Sequence, residues 1–320
     1  MHKQLFRVLS GRRGVPAVAL VVGALMATCI SAAPADAVVR TRFYTTGCGM
    51  PKSPVDVWKR SSNYKTVIAL DGLRATGGMS GWRRQTNISG LASRGVNVVQ
   101  PIGGLASFYT DWDHKPENKQ KFRYRWTCRL NKIIKQLDAR GMAAGPWHKY
   151  AIMGISMGGN SALTYAAYHR RRISHAFSMS GYLNLSAPTM RENIRVALIE
   201  AGNAAGRGPY NADDMWGPPW SERWMKNDPF NLTPQMRGMK VRVAAATGAP
   251  GRHDGISEDT AKGMPLETAA AAQTKAFETK AGGDGLDLST DYQLQGTHAW
   301  GYWQDSVWRA FRAGWFRDRR

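Results

Sequence analysis

The chain has 320 residues, 44 of them Lys or Arg against 23 Asp or Glu, which gives +21 at neutral pH, and 43% hydrophobic residues. That length can bury a full core and suits one large α/β domain rather than two. Nucleic acid is a poor partner for the charge, because the basic residues are scattered, no nucleic-acid module is recognisable, and the chain reads as exported.

The first 37 residues describe a secretory leader. Lys3, Arg7, Arg12 and Arg13 precede an apolar run from Val15 to Ala33, and Ala35-Asp36-Ala37 offers a small-residue exit. Cleavage is expected after Ala37, with Ala33 as the alternative, leaving 38–320 as the working domain. No later segment is long and apolar enough to span a membrane, so no integral anchor is expected. Cys29 leaves with the leader. Cys48 and Cys128 remain, and in an exported protein an even pair suggests a disulfide.

Short apolar runs predict buried strands at 66–70, 96–99, 151–153, 175–179 and 241–245, with a further strand at 290–294. Helical periodicity predicts helices at 129–140, 158–170, 266–281 and 299–316. Their alternation predicts a mostly parallel sheet flanked by helices. The charged stretch 115–125 reads as a solvated loop. The stretch 182–229, rich in Gly, Pro, Asn and Trp, reads as an insert that covers the carboxyl edge of the sheet.

Gly154-Ile155-Ser156-Met157-Gly158 lies between an apolar strand and a helix. That is the context of a nucleophile elbow, in which a tight turn lifts a serine hydroxyl above the sheet of an α/β hydrolase. Serine is a weak nucleophile and needs a histidine base oriented by a carboxylate, in the chain order Ser, acid, His. Only His253 and His298 lie far enough beyond the elbow. His298, on a turn between the last strand and the terminal helix, is the better placed. Eight carboxylates between 243 and 298 qualify as the acid by position: Asp254, Glu258, Asp259, Glu267, Glu278, Asp284, Asp287 and Asp291. The oxyanion needs two aimed N–H donors. Met157, next after the serine, and Leu73, in the loop after strand 66–70, are the candidates.

Several blocks together resemble the antigen 85 family of secreted mycolyltransferases. They are Leu70-Asp-Gly-Leu-Arg-Ala75 with Gly81-Trp82, Ser107-Phe-Tyr-Thr-Asp-Trp112, the elbow, Ala212-Asp-Asp-Met-Trp-Gly-Pro218 with Asn227-Asp-Pro229, and Gly296-Thr-His-Ala-Trp300. They fall in family order across 42–315. The resemblance implies an α/β-hydrolase fold and acyl transfer from trehalose monomycolate to a second such molecule or to cell-wall arabinogalactan. It implies Glu267 as the acid, since Leu266-Glu267 follows Pro265 and stands 31 residues before His298, with Glu258 and Asp259 in reserve. It also implies sugar contacts by Asp71, Arg74 and Trp300. Neither metal nor organic cofactor is expected, because the nucleophile is covalent. The basic charge suits an anionic envelope surface. Two departures stand out: Ser80-Gly-Trp-Arg83 replaces the family's Asn-Gly-Trp-Asp, and the family's close cysteine pair is missing. A plain carboxylesterase and a non-catalytic envelope- or matrix-binding relative are the alternatives.

Overall fold

A computed structural model describes residues 37–143 and 149–318. The leader assigned to the first 37 residues lies almost wholly outside the described residues, as does His148.

Among the described residues eight strands make one sheet in the order β1-β2-β4-β3-β5-β6-β7-β8. They are β1 (Val39–Gly47), β2 (Met50–Lys59), β3 (Lys65–Leu70), β4 (Val96–Pro101), β5 (Tyr150–Ile155), β6 (Ile173–Met179), β7 (Lys240–Ala246) and β8 (Leu288–Gln293). The pairings from β4 through β8 are parallel. The β1–β2 hairpin adds to β4 antiparallel. The expected strands are all present, each a residue or more longer or shifted. The hairpin was not anticipated, because it is an edge element whose first strand is largely exposed and reads as polar.

Among the described residues eight α-helices connect and cover the sheet: α1 (Gly81–Gln85), α2 (Trp126–Asp138), α3 (Met157–Tyr168), α4 (Met190–Ala204), α5 (Ala212–Trp216), α6 (Glu222–Lys226), α7 (Glu258–Gly283) and α8 (Trp300–Arg312). Period-two alternation splits each central strand between two cores. In β3, Ile68 and Leu70 join the core beneath α2, α3 and α7, while Val67 and Ala69 join the core beneath α1 and α8. β5 divides likewise, with Ile152 on the first side and Met153 on the second.

Two expectations need correction. The 115–125 stretch is not simply solvated, because Gln120 and Tyr124 are buried and Tyr124 packs against Trp112 and Tyr210. The helix expected from 266 begins at 258 and runs through Pro265. The 182–229 insert folds into α4, α5 and α6.

Cys48, in the β1–β2 turn, is bonded to Cys128 on α2, with 6.0 Å between their Cα atoms. The bridge ties the edge hairpin to a core helix. Closing an 80-residue span stabilises by about 4 kcal/mol in a chain-entropy picture. No helix of the described residues is long and apolar enough to cross a membrane.

Candidate active site

The chain order reverses direction between β3 and β5. β4 lies on one side of β3 and β5 on the other, a switch point outside whose carboxyl ends ligands bind in open α/β sheets. Ser156 follows β5 there. Its backbone sits at φ 49°, ψ −124°, a conformation strained for any residue with a side chain. The chain reverses so tightly that a Cβ on Gly154 would lie 2.2 Å from the Gly158 carbonyl oxygen, and one on Gly158 2.3 Å from that of Asp71. Only glycine fits either position. Ser156 N–H donates to the Met179 carbonyl at 2.9 Å, which pins the turn to β6. Ser156 is half-exposed amid buried neighbours.

Met157 opens α3, so its N–H has no acceptor within the helix and lies at the positive end of the helix dipole. The loop after β3 passes directly over the elbow, with a Cβ position on Gly72 only 3.7 Å from the Ser156 Cβ. Leu73 follows in that loop, and its carbonyl accepts from Ala106 N–H at 2.9 Å, which fixes the peptide.

On the other side, His298 Nδ1 lies 2.8 Å from Glu267 Oε2. Glu267 is buried and belongs to the interior of α7, not its first turn, so opposing the helix dipole is not its role. Its other oxygen accepts from Ser180 Oγ at 2.8 Å and from Ala246 N–H at 2.7 Å. With Glu267 accepting at Nδ1, the neutral imidazole carries its proton there and keeps Nε2 as the free base. The His298 N–H donates to the Gly263 carbonyl at 3.2 Å, docking the histidine turn on the helix that carries Glu267. Pro265 interrupts the helical ladder in this part of α7. Tyr182 stacks parallel to the His298 ring at 6.5 Å, and Trp303 meets it edge-on at 5.0 Å. Tyr182 opens the 182–229 insert, so part of the expected cover does reach the site.

The remaining candidates separate clearly. His253 pairs with Asp305 at 2.6 Å, away from Glu267. Glu258 and Asp259 are exposed at the start of α7. Asp254 accepts from Thr297 Oγ1 at 2.5 Å and the Tyr302 hydroxyl at 2.6 Å, bracing the histidine turn.

Asp71, expected as a sugar contact, sits beneath the loop after β3. It is 1% exposed, and its oxygens accept from Ser80 Oγ at 2.8 Å and the N–H groups of Gly81 and Trp82 at 3.1 and 3.3 Å. Burial pushes its carboxyl up to about 6, against the pull of those donors. These bonds hold the 71–82 loop together. Arg74 is exposed and pairs with Glu200 of α4 at 2.5 Å. Trp300 is half-buried, edge-on to Trp82 and Trp303.

Ser180 escaped the sequence reading. It accepts from Trp303 Nε1 at 2.8 Å while donating to Glu267, and its backbone sits at φ 50°. Its place just after a predicted strand was the one available signal, and that signal is shared by many serines.

A family model described as "Putative esterase" matches residues 50–313. The chain is 31% identical over 252 residues to the diacylglycerol acyltransferase/mycolyltransferase Ag85C of Mycobacterium avium, covering 75% of this chain and 67% of that protein. It is 32% identical over 246 residues to the Ag85B protein of Mycolicibacterium smegmatis, covering 74% and 72%. Among solved structures, Mycobacterium tuberculosis MPT51 (FbpC1) aligns with a TM-score of 0.73 at 25% identity, over 88% of this chain and all of that one. The fluorophosphonate-binding serine hydrolase FphF of Staphylococcus aureus, at 13% identity and a TM-score of 0.65, shares the fold. The chain therefore belongs to the esterase family, as an α/β-hydrolase-fold homologue of the antigen 85 mycolyltransferases, and its enzyme class is acyltransferase or esterase.

Proposed function

We propose that the protein is an exported acyltransferase that carries a mycolyl chain on Ser156. His298 Nε2 takes the Ser156 proton as the hydroxyl attacks the ester of trehalose monomycolate. Glu267 holds the imidazole and balances its positive charge. The Leu73 and Met157 N–H groups receive the oxyanion. Trehalose departs with the proton from His298, leaving an acyl-serine. A hydroxyl of a second trehalose monomycolate, or of cell-wall arabinogalactan, then gives its proton to His298 and takes the acyl chain. Arg74 and Trp300, with Asp71, are the residues assigned to sugar contact on the family resemblance. The chemistry needs no cofactor, and the basic surface would hold the exported enzyme at an anionic envelope.

The observation that carries this reading is the 2.8 Å pairing of His298 with a buried Glu267, on the same sheet edge as a serine in a strained elbow. The kinship with mycolyltransferases supports the choice of acyl group. Hydrolysis is the second reading, favoured by the esterase family model. Mass spectrometry of the protein incubated with trehalose monomycolate separates them. A mycolyl adduct on Ser156, absent in Ser156→Ala, with trehalose dimycolate accumulating, is the expected result. An adduct that releases only free acid establishes the esterase. Folded protein with neither adduct nor turnover overturns both and leaves a non-catalytic binder.

A further inference from the structure

Basic residues that look scattered along the sequence are gathered by the sheet. β3 through β8 run parallel, so their starts share one edge, opposite the edge that carries Ser156 and His298. β2 runs against β4, so its end reaches that same amino edge, and so does the start of β1. Lys65 and Lys240 open strands there, and Arg94, Lys149 and Arg172 stand just before strands. Arg60 follows the end of β2. Arg140, Arg170 and Arg171 arrive from the ends of α2 and α3.

Contacts link these cations across the sheet. Arg60 donates to the Ser93 carbonyl at 3.1 Å, beside Arg94. Tyr64 N–H donates to the Gly95 carbonyl at 2.9 Å, and the Arg317 guanidinium lies 6.0 Å from the Tyr64 ring. Lys240 Nζ donates to the Arg317 carbonyl at 2.8 Å.

Acids are too few to balance them. Asp138, Asp284 and Asp318 pair with Arg172, Lys280 and Lys65, and Asp287 stands at the far end, before β8. Arg94, Arg140, Lys149, Arg171, Lys240 and Arg317 have no carboxylate partner among the described residues. The excess acts on its neighbours. Burial lowers the Lys65 pKa, and the Lys240 and Lys149 charges lower it further against the pull of Asp318. Helix dipoles explain part of the pattern, because carboxyl ends of helices favour cations such as Arg140 and Arg170. They do not explain Lys149 and Lys240, which introduce strands.

Breadth and an apolar corner decide the partner. From β2 to β7 the edge spans roughly 24 Å at about 4.8 Å per strand gap, so one small anion meets only a fraction of the charge. An extended array of anionic groups meets it all. β1 enters at this edge with Val38 and Val39, 39% and 50% exposed, directly after the leader expected from the sequence. Cations beside exposed apolar side chains suit lipid headgroups better than a polysaccharide, which offers the valines nothing.

We propose that the amino edge of the sheet docks on a bilayer of anionic phospholipid. This rests on the envelope attachment proposed above and adds its surface, its partner and its orientation. It holds for a transferase or an esterase alike. β5 has six residues, so Ser156 stands roughly 20 Å beyond the docking edge and faces away from the bilayer.

The test is cosedimentation of the protein with phosphatidylcholine vesicles, with and without phosphatidylglycerol, beside a heparin column. Binding is expected only to the anionic vesicles and is lost at high salt. Arg170→Gln with Arg171→Gln should weaken it about thirtyfold. The same charge loss at the carboxyl edge, Arg252→Gln with Lys262→Gln, should leave it near wild type. An environment-sensitive dye should shift to the blue on binding when attached at Ser93→Cys, at the amino edge, and not at Ile256→Cys, at the carboxyl edge. Hydrolysis of p-nitrophenyl acetate should be unchanged in both pairs and should continue in vesicle-bound protein. A wild type that docks without hydrolysing supports this proposal while sinking the catalytic one. Equal weakening by the two pairs, a blue shift at Ile256→Cys alone, equal binding to neutral vesicles, or retention on heparin without vesicle binding would each overturn it.

Discussion

A histidine, a carboxylate and a serine hydroxyl meet at the carboxyl edge of the sheet, in His298, Glu267 and Ser180. The same three residue types meet at the amino edge, in His175, Asp318 and Ser174. β6 connects the two groups, with Ser174 and His175 near its start and Ser180 just past its end. β3 does the same with Lys65 and Asp71. At the amino edge both His175 nitrogens are engaged, Nδ1 with Ser174 Oγ at 2.8 Å and Nε2 with the Arg317 carbonyl at 3.2 Å. The Lys65 ammonium, with no exposed side-chain surface, sits on Asp318 at 2.5 Å. Nothing there is left to accept a substrate's proton. At the carboxyl edge His298 is bonded at Nδ1 and keeps Nε2, and the nearby elbow serine is accessible. Residue types alone do not make a reactive site. An unspent nitrogen and a reachable hydroxyl distinguish the two edges, and the amino-edge group instead clamps the chain's C-terminal segment to the sheet.

The largest effect that would sharpen this contrast is Glu267→Gln. Turning the imidazole to the wrong tautomer lowers kcat by roughly 10⁴ while leaving the fold intact. Steady-state kinetics on a soluble ester, beside a thermal melt, reads both. A variant that melts early but turns over normally per folded molecule would mean that Glu267 is only a packing group.

The amino edge should respond in the opposite way. Burial, reinforced by the Lys65 charge, pushes the His175 imidazole down to about 4 from its ordinary 6.5. Between those values the unfolded chain binds a proton that the folded chain refuses. Stability is therefore complete above pH 6.5 and falls as the pH drops toward 4, by about 3 kcal/mol from this group. His175→Asn should flatten that acid limb in urea unfolding curves and leave kcat near wild type. An unchanged limb would show that some other group sets the acid sensitivity.

Legibility in the sequence followed how local each signal is. The parallel strands and the elbow are local patterns, an apolar run or a glycine-flanked serine, and each could be placed from a few residues. His298 followed from chain order. The proposed acid did not, because burial in the interior of α7 and the contact with His298 are what mark Glu267, and both are tertiary properties that the sequence leaves open among eight carboxylates. Only the family resemblance selected it. What no sequence comparison conveys is that Asp71 also turns inward to hold Ser80, Gly81 and Trp82. The β1–β2 hairpin was missed because exposed edge strands carry little hydrophobic signal. Ser180 was invisible because its partners come from β7, α7 and α8, far away in sequence.

Ser180 offers the smallest but most discriminating test of the contrast. It supplies one of the three hydrogen bonds on Glu267 and satisfies the Trp303 indole, so on the proposed mechanism it is expected to act as a positioning residue through Glu267. Two effects are entangled there, a hydroxyl and a backbone at φ 50°. Ser180→Ala removes the hydroxyl and keeps the strain, whereas Ser180→Gly removes both. If the hydroxyl positions Glu267, both variants lose about tenfold in kcat with KM unchanged, since a loosened carboxylate misaims His298 without touching substrate. The glycine variant should be the more stable of the two, its relieved backbone offsetting part of the lost bond. Recovery of activity in Ser180→Gly alone would assign the effect to backbone strain and remove Ser180 from the set of groups that aim the acid. Equal loss in both, with their melting points apart, separates positioning from stability at a single residue.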